Sequence, residues 1–329
     1  MRVAAVEVSH WHSLHDAAYL RILAETPDVQ LVGLHDPSAE VAGRRAALLG
    51  NPPVFTDHRK MLVEARPDFV VALGQHARMA RTAHDLLDHG VPFMMEKPMG
   101  LDADEVQTIA DRAAGQRAFV AVPLPQRGSP FVMRAQQLLA GGRLGPLSHL
   151  YLRLNRPTSA RYPLWDSPWM LDPALAGGGC LRNLGSHCFD LFRLLTGEEA
   201  QVTGAQLSAR ALGQPVEDYA SVQLRTASGV LGTIELGNTV PSAGSDGEFK
   251  IAGRDAILVS YHDDMLRLIT SAGEEMTPAP PAEPLYPTAV RAILDAVRRG
   301  APPPVSVHDL LPVVRLIDQA YDIARRSRA

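Results

Sequence analysis

Only two cysteines occur among the 329 residues, Cys180 and Cys188, so no disulfide framework holds this fold. They stand eight apart, a spacing that suits neither a redox pair nor a zinc knuckle, and both are expected to be ordinary reduced thiols. Basic excess is missing too: net charge is -4 and the sequence pI about 6.3, so nothing draws the chain to nucleic acid or to an anionic membrane. No run approaches the roughly 18 apolar residues of a membrane span. From Met1-Arg2 the chain passes directly into a strand pattern, so a cytoplasmic location is the default expectation. No internal repeat is present. His10, His12 and His15 crowd one stretch, but no carboxylate or cysteine nearby completes a ligand spacing, and no metal site is expected. What remains is a soluble globular chain, 46% hydrophobic and 21% charged, with small molecules as its expected partners.

Strand-like apolar runs alternate with helical patterns from Arg2 to Leu124: Val3 to Val8, Gln30 to His35, Phe69 to Leu73, Val91 to Met95 and Phe119 to Leu124. Such alternation predicts an α/β fold with a Rossmann-like, doubly wound parallel sheet over residues 1–122. Met79, Ala83, Leu86 and Leu87 share a helical face that ends at Gly90. Asp102 and Glu105 form a capping-box pattern ahead of Val106, Ile109, Ala110 and Ala113. Beyond Gly145 longer strands are predicted at Leu147 to Asn155, Val202 to Arg210, Tyr219 to Thr226, Val230 to Val240 and Ala256 to Tyr261. Val230, Ile234 and Leu236 fall on one face there, which predicts a C-terminal α+β domain over 123–329 with an open, mainly antiparallel sheet. Helices are expected at Gly179 to Leu195 and Val307 to Arg325, and a loop or linker at Pro278 to Pro287.

Two stretches carry candidate chemistry. Glu96-Lys97-Pro98 follows the Val91 to Met95 strand, and a lysine in a loop at the carboxyl end of a parallel strand is placed where such folds bind ligands. The plain alternative is a surface turn with a solvated lysine. The second stretch runs from Gly177 through the triple glycine into a helix bearing Asn183, His187 and Asp190, four and then three residues apart and thus able to share one face. A histidine and an amide there suit binding and deprotonation of a hydroxyl, while a capped helix with an internally bonded histidine is the alternative.

With Pro67 to Ala72, His89-Gly90-Val91-Pro92, Gly141 to Pro146 and Leu171-Asp172-Pro173, these motifs give a chain that resembles the glucose-fructose oxidoreductase, inositol dehydrogenase and MocA family along nearly its whole length. The resemblance implies a Rossmann domain holding NAD, with NADP as the alternative, and a substrate domain that supports a homodimer or homotetramer. It implies oxidation of a sugar, cyclitol or related hydroxy compound. By the same resemblance Lys97 is the catalytic lysine, His187 handles the proton, and Glu96 and Pro98 hold the lysine in place. The nicotinamide takes hydride from a carbinol carbon, a base takes the hydroxyl proton, and an ammonium stabilises developing alkoxide.

The chain departs from the pattern at three places. Asn183 stands where the family has aspartate, and an amide accepts no proton. The first turn reads Glu7-Val8-Ser9-His10-Trp11-His12, so Glu7, Ser9 and His12 replace all three glycines of the dinucleotide fingerprint, and their side chains are expected to obstruct close approach to a pyrophosphate. Ser9, His10, Trp11 and His12 remain the candidate cofactor contacts, together with helix N-terminal amides. Third, Gly74-Gln75-His76 replaces the family's proline and asparagine beside the nicotinamide ribose. Asp36 is expected to bind the adenosine ribose and favour NAD, or else simply to cap a turn before Pro37. Arg127, Arg153, Arg156, Arg161, Tyr162, Trp165 and Trp169 are candidate substrate-lining residues, although Trp165 and Trp169, one helical turn apart, also suit packing. Two alternatives follow from these departures: a redox-silent sensor of a sugar or dinucleotide, and an NAD-assisted glycoside hydrolase or lyase.

Overall fold

Short Val-, Phe- and Ala-rich segments make the first sheet, as expected of strands covered on both faces. They are β1 (Arg2–Val6), β2 (Gln30–His35), β3 (Val54–Phe55), β4 (Phe69–Ala72), β5 (Phe93–Met95) and β6 (Val120–Ala121), all parallel, in the order β3-β2-β1-β4-β5-β6. β4 is buried at every position. The order reverses between β1 and β4, the switch point at which doubly wound sheets bind ligands. Our computed structural model describes residues 1–261, 265–279 and 284–327. β1 stops at Val6, short of the expected Val8, because Glu7 turns into the left-handed region at φ 56°. β3 was not foreseen, since two residues are too few to show a period.

The helical signals are realised with their caps. His76–His89 ends on Gly90 at φ 73°. Asp102 accepts the amide of Glu105 at 2.9 Å and the Glu105 carboxylate accepts that of Leu101 at 2.8 Å, opening the helix Ala103–Gln116. The unit around this sheet is discontinuous: it comprises Met1–Pro123, Ala160–Gly177 and Tyr286–Pro312, where the sequence suggested one uninterrupted domain over 1–122. Val290, Ile293 and Leu294 of the helix Leu285–Arg298 join Val3, Phe69, Val71 and Met94 in one core cluster. Leu285-Tyr286-Pro287, expected in a linker, form the first turn of that helix, where proline is tolerated. Residues 280–283 of the expected linker lie outside the described residues.

The other unit comprises Leu124–Ser159, Gly178–Leu285 and Val313–Ala329. Its strands are β7 (Leu147–Pro157), β8 (Ala200–Ser208), β9 (Tyr219–Thr226), β10 (Leu231–Val240), β11 (Asp246–Gly253), β12 (Ala256–Ser260), β13 (Met265–Thr270) and β14 (Gly273–Pro278). They form one sheet in the order β14-β13-β12-β11-β7-β10-β9-β8, antiparallel except for the β7/β10 pair. β11, β13 and β14 escaped the sequence reading, and β14, exposed at every position, carries no apolar alternation. The helix Cys180–Thr196 packs on this sheet; Phe192 lies so close to Gly232 that a Cβ there would sit 2.5 Å from its ring. Among the described residues no helix is long and apolar enough to cross a membrane.

Candidate active site

Lys97 follows β5 at its carboxyl end and is 1% exposed, not the solvated turn lysine of the plain alternative. The sheet register continues one residue past the strand, with the Glu96 amide donating to Ala72 O at 3.0 Å, and the Lys97-Pro98 bond is cis. Glu96 is fully buried. Its Oε1 accepts the Tyr19 hydroxyl at 2.5 Å and pairs with His12 Nδ1 at 3.0 Å, while its Oε2 lies 3.8 Å from Lys97 Nζ. Burial alone would raise this carboxyl; His12, Lys97 and His10 together hold it well below 4.5. Burial pushes the Lys97 ammonium below its usual 10.5, opposed by Glu96 and Asp16. Nothing in the sequence pointed to Tyr19, whose hydroxyl reaches Glu96 only through the fold.

The glycine-poor turn is built differently from the expectation. Glu7 adopts the backbone a glycine would, and its side chain folds back so that Oε2 accepts the Gln75 amide at 3.1 Å. Gly74, at φ 92°, leaves the room this needs, since a Cβ there would lie 3.1 Å from the same oxygen. Burial raises the Glu7 carboxyl above 4.5, favouring its neutral form. Burial, then the charge of His58, lower His35 to about 4, so its neutral Nδ1 faces the Glu7 amide at 3.4 Å. Asp36 caps: Oδ2 accepts the Ser9 amide at 2.8 Å and Oδ1 that of Ser38 at 3.0 Å. The helix-terminal amides expected at the turn are not there, because Trp11–Ser13 is a single 3-10 turn and the α-helix begins only at Tyr19.

His10 Nδ1 accepts the His12 amide at 3.1 Å, which puts the ring proton on Nε2. Among the described residues that Nε2 and Trp169 Nε1 are buried without a hydrogen-bond acceptor, and their rings lie 5.8 Å apart. Two orphaned buried donors beside the turn suit an acceptor-rich group, so the residues present fit a dinucleotide through side chains rather than glycine amides. His76 Nδ1 bonds Ala176 O at 2.7 Å, leaving Nε2 as the acceptor. His10, His12 and Glu96 do offer metal-ligand atoms within 4.8 Å of one another, with a carboxylate that sequence spacing missed. A protonated Nε2 ligates nothing, and the Lys97 ammonium already faces Glu96, so we read the group as a hydrogen-bonded charge cluster.

The proposed substrate residues divide by role. Tyr162 and Trp169 pack with Trp11, Met170 and Ala176 in one buried cluster, Trp11 meeting Tyr162 edge-on at 5.1 Å. Trp165 stacks on His15 at 4.8 Å. The two tryptophans do not share a helix: Trp165 caps Arg161–Leu164 and Trp169 sits in a 3-10 turn, Pro168–Leu171. Arg161 covers the Tyr162 ring at 4.5 Å.

In the second unit Asn183 and His187 are one turn apart on the buried helix Cys180–Thr196, as the spacing predicted. The triple glycine has a structural cause. The Glu217 carboxylate accepts the amides of Gly179 and Leu181 at 2.8 and 3.0 Å and the Tyr321 hydroxyl at 2.7 Å, and a Cβ on Gly178 or Gly179 would lie 2.0 Å from Tyr321 Oη or Glu217 O. Arg127 is committed to Asp190, its Nε and Nη2 donating at 2.8 and 2.6 Å to the two carboxylate oxygens. Arg153 pairs with Asp246 at 3.0 Å on the sheet, and Arg156 lies on β7. Both cysteines are buried free thiols; burial raises Cys188 to about 12 and Cys180 well above 9.

Comparison with known proteins agrees with this architecture. A family model described as oxidoreductase family, NAD-binding Rossmann fold, matches residues 13–123, beginning just after the altered turn, and one described as GFO/IDH/MocA C-terminal domain matches 132–259. The chain is 28% identical over 228 residues to the rhizopine catabolism protein MocA of Rhizobium meliloti, covering 68% of each. It is 24% identical over 251 residues to the inositol 2-dehydrogenase of Rhizobium meliloti (strain 1021), covering 73% of each. Among solved structures, GenD2 from gentamicin A biosynthesis in complex with NAD superposes at a TM-score of 0.85 with 22% identity, over 100% of this chain and 95% of that one. Levoglucosan dehydrogenase with NADH and levoglucosan gives 0.84 at 20% identity, over 99% and 97%. Both likenesses concern the fold.

Proposed function

We propose, from the premise that the chain belongs to the GFO/IDH/MocA oxidoreductase family, that it is an NAD(P)-dependent dehydrogenase of a sugar, cyclitol or related CH-OH compound. One observation carries this reading: a buried lysine at the carboxyl end of β5, paired with a buried glutamate in a doubly wound sheet. The nicotinamide, when bound, supplies the hydride acceptor. Ser9, His10, Trp11, His12, Gly74, Gln75 and His76 of the turn and its neighbouring loop, with Asp36, hold the dinucleotide. His10 Nε2–H serves as a fixed donor. Lys97, depressed by burial, takes the hydroxyl proton as a neutral amine and as an ammonium opposes alkoxide charge in the reverse direction. Asn183 and His187 bind substrate hydroxyls, with Asn183 acting as an amide hydrogen-bonding group. Sugar-like substrates are favoured because inositol and levoglucosan dehydrogenases are among the similar proteins. A cytoplasmic homodimer or homotetramer belongs to the same proposal.

A panel of sugars and polyols followed at the nicotinamide absorbance tests it. Steady turnover abolished by Lys97→Ala is expected. Binding of sugar or dinucleotide with no turnover would favour a sensor, and aglycone release without net cofactor reduction a hydrolase or lyase.

A further inference from the structure

Glu96 is one carboxylate facing two nitrogen bases and a phenol, and its partners are unevenly placed. Tyr19 Oη at 2.5 Å and His12 Nδ1 at 3.0 Å both converge on Oε1, while Oε2 lies 3.8 Å from Lys97 Nζ. All four side chains are at least nine-tenths buried, so water cannot even out this distribution. Resting on the dehydrogenase reading for its functional meaning, we propose that Tyr19 and His12 are positioning residues that tune Lys97 through Glu96. By drawing the carboxylate's charge toward Oε1 they weaken the hold of Glu96 on the Lys97 ammonium, which makes Lys97 readier to give up its proton and serve as a base.

Two short contacts to one oxygen stabilise charge there and weaken what the other oxygen offers a cation 3.8 Å away. Other groups facing the cluster act on the same balance. Asp16 favours the charged lysine, and the Trp11 ring, 5.8 Å from Nζ, does so more weakly. His10 faces Glu96 and adds positive charge only when protonated, which its burial, followed by His12, opposes. His76 faces His10, and Tyr286 stands edge-on to Tyr19 and His12 at 5.9 and 5.8 Å. The Tyr19 phenol is itself held protonated, by burial first and then by Glu96, so it stays a donor throughout the neutral range.

The chain has three lysines, Lys60, Lys97 and Lys250, which makes side-chain titration by carbon NMR of lysine labelled at Cε tractable in the full protein without substrate or dinucleotide. The Lys97 signal is assigned with Lys97→Arg. Tyr19→Phe removes one hydroxyl, and His12→Gln removes a chargeable ring. Each is expected to raise the Lys97 midpoint by on the order of one pH unit, and the double variant to raise it further. Lys60, 3.7 Å from Glu64, and Lys250, 2.7 Å from Glu248, answer to other carboxylates and stay unmoved as controls. In turnover the ascending limb of kcat/KM moves up by the same amount, with KM for the dinucleotide unaffected in Tyr19→Phe. An unchanged or lowered Lys97 midpoint in either folded variant overturns the proposal, whether or not the protein proves to be a dehydrogenase. Midpoints that move in a protein without turnover would uphold the tuning and defeat the dehydrogenase reading instead.

Discussion

Replacing Arg127 by methionine separates two roles for this residue, substrate contact and fastening of the Asn183/His187 helix. Asp190, on that helix, is 2% exposed and both its oxygens receive the guanidinium, at 2.8 and 2.6 Å. Arg127→Met keeps an apolar stem but leaves a buried carboxylate without its cation. Breaking a buried pair costs roughly 3–5 kcal/mol, and because the Arg127 side chain is 24% exposed the lower end applies, about 3 kcal/mol. Equilibrium urea unfolding reads this loss directly. Adding Asp190→Asn to the same chain removes the stranded charge and is expected to restore at least half of it, the two sites being coupled. Turnover in Arg127→Met falls through kcat, as the helix bearing His187 loses its anchor. A loss below about 0.5 kcal/mol accompanied by a raised KM for the sugar would refute the reasoning and return Arg127 to the substrate.

Gly179→Ala places a Cβ 2.0 Å from the Glu217 carbonyl, backbone that cannot yield cheaply, so about 3 kcal/mol of stability is lost, measurable by the same unfolding. Glu7→Gln keeps an acceptor for the Gln75 amide and removes a titrating group. Because the folded carboxyl of Glu7 is raised, the folded state holds that proton more tightly, and the wild type loses stability relative to Glu7→Gln as pH rises from 4.5 through the raised value. Parallel stability curves for the two proteins between pH 4 and 8 would show that Glu7 is not so buried in solution.

The motifs that announce themselves locally were legible in sequence. Asp102 with Glu105, Gly90 after its helix and the uninterrupted apolar run of β4 each depend on residues a few positions apart. Glu96-Lys97 was legible as a loop, yet its burial was not, because Tyr19 and His12 reach it from a different strand-to-helix connection. The triple glycine was read only as the opening of a helix. Its cause is the tight approach of Glu217 and Tyr321, and no local pattern marks a distant residue as a cap. Glu7 misled for a different reason: sequence alone treats a missing glycine as a lost conformation, whereas a buried carboxyl with an amide to accept can hold the left-handed backbone itself. Likewise the return of Ala160–Gly177 to the first unit rests on Tyr162 and Trp169 packing around Trp11, a contact between segments remote in sequence.

Calorimetric titration of the wild-type chain with NAD⁺ and NADH tests the central claim most directly, since an altered turn must still hold a dinucleotide if Lys97 is to act beside it. The account predicts saturable binding at one site per chain, weakened in His10→Ala, whose Nε2–H is an orphaned buried donor. No heat from either nucleotide, or from their 2′-phosphorylated forms, at millimolar concentration would contradict it.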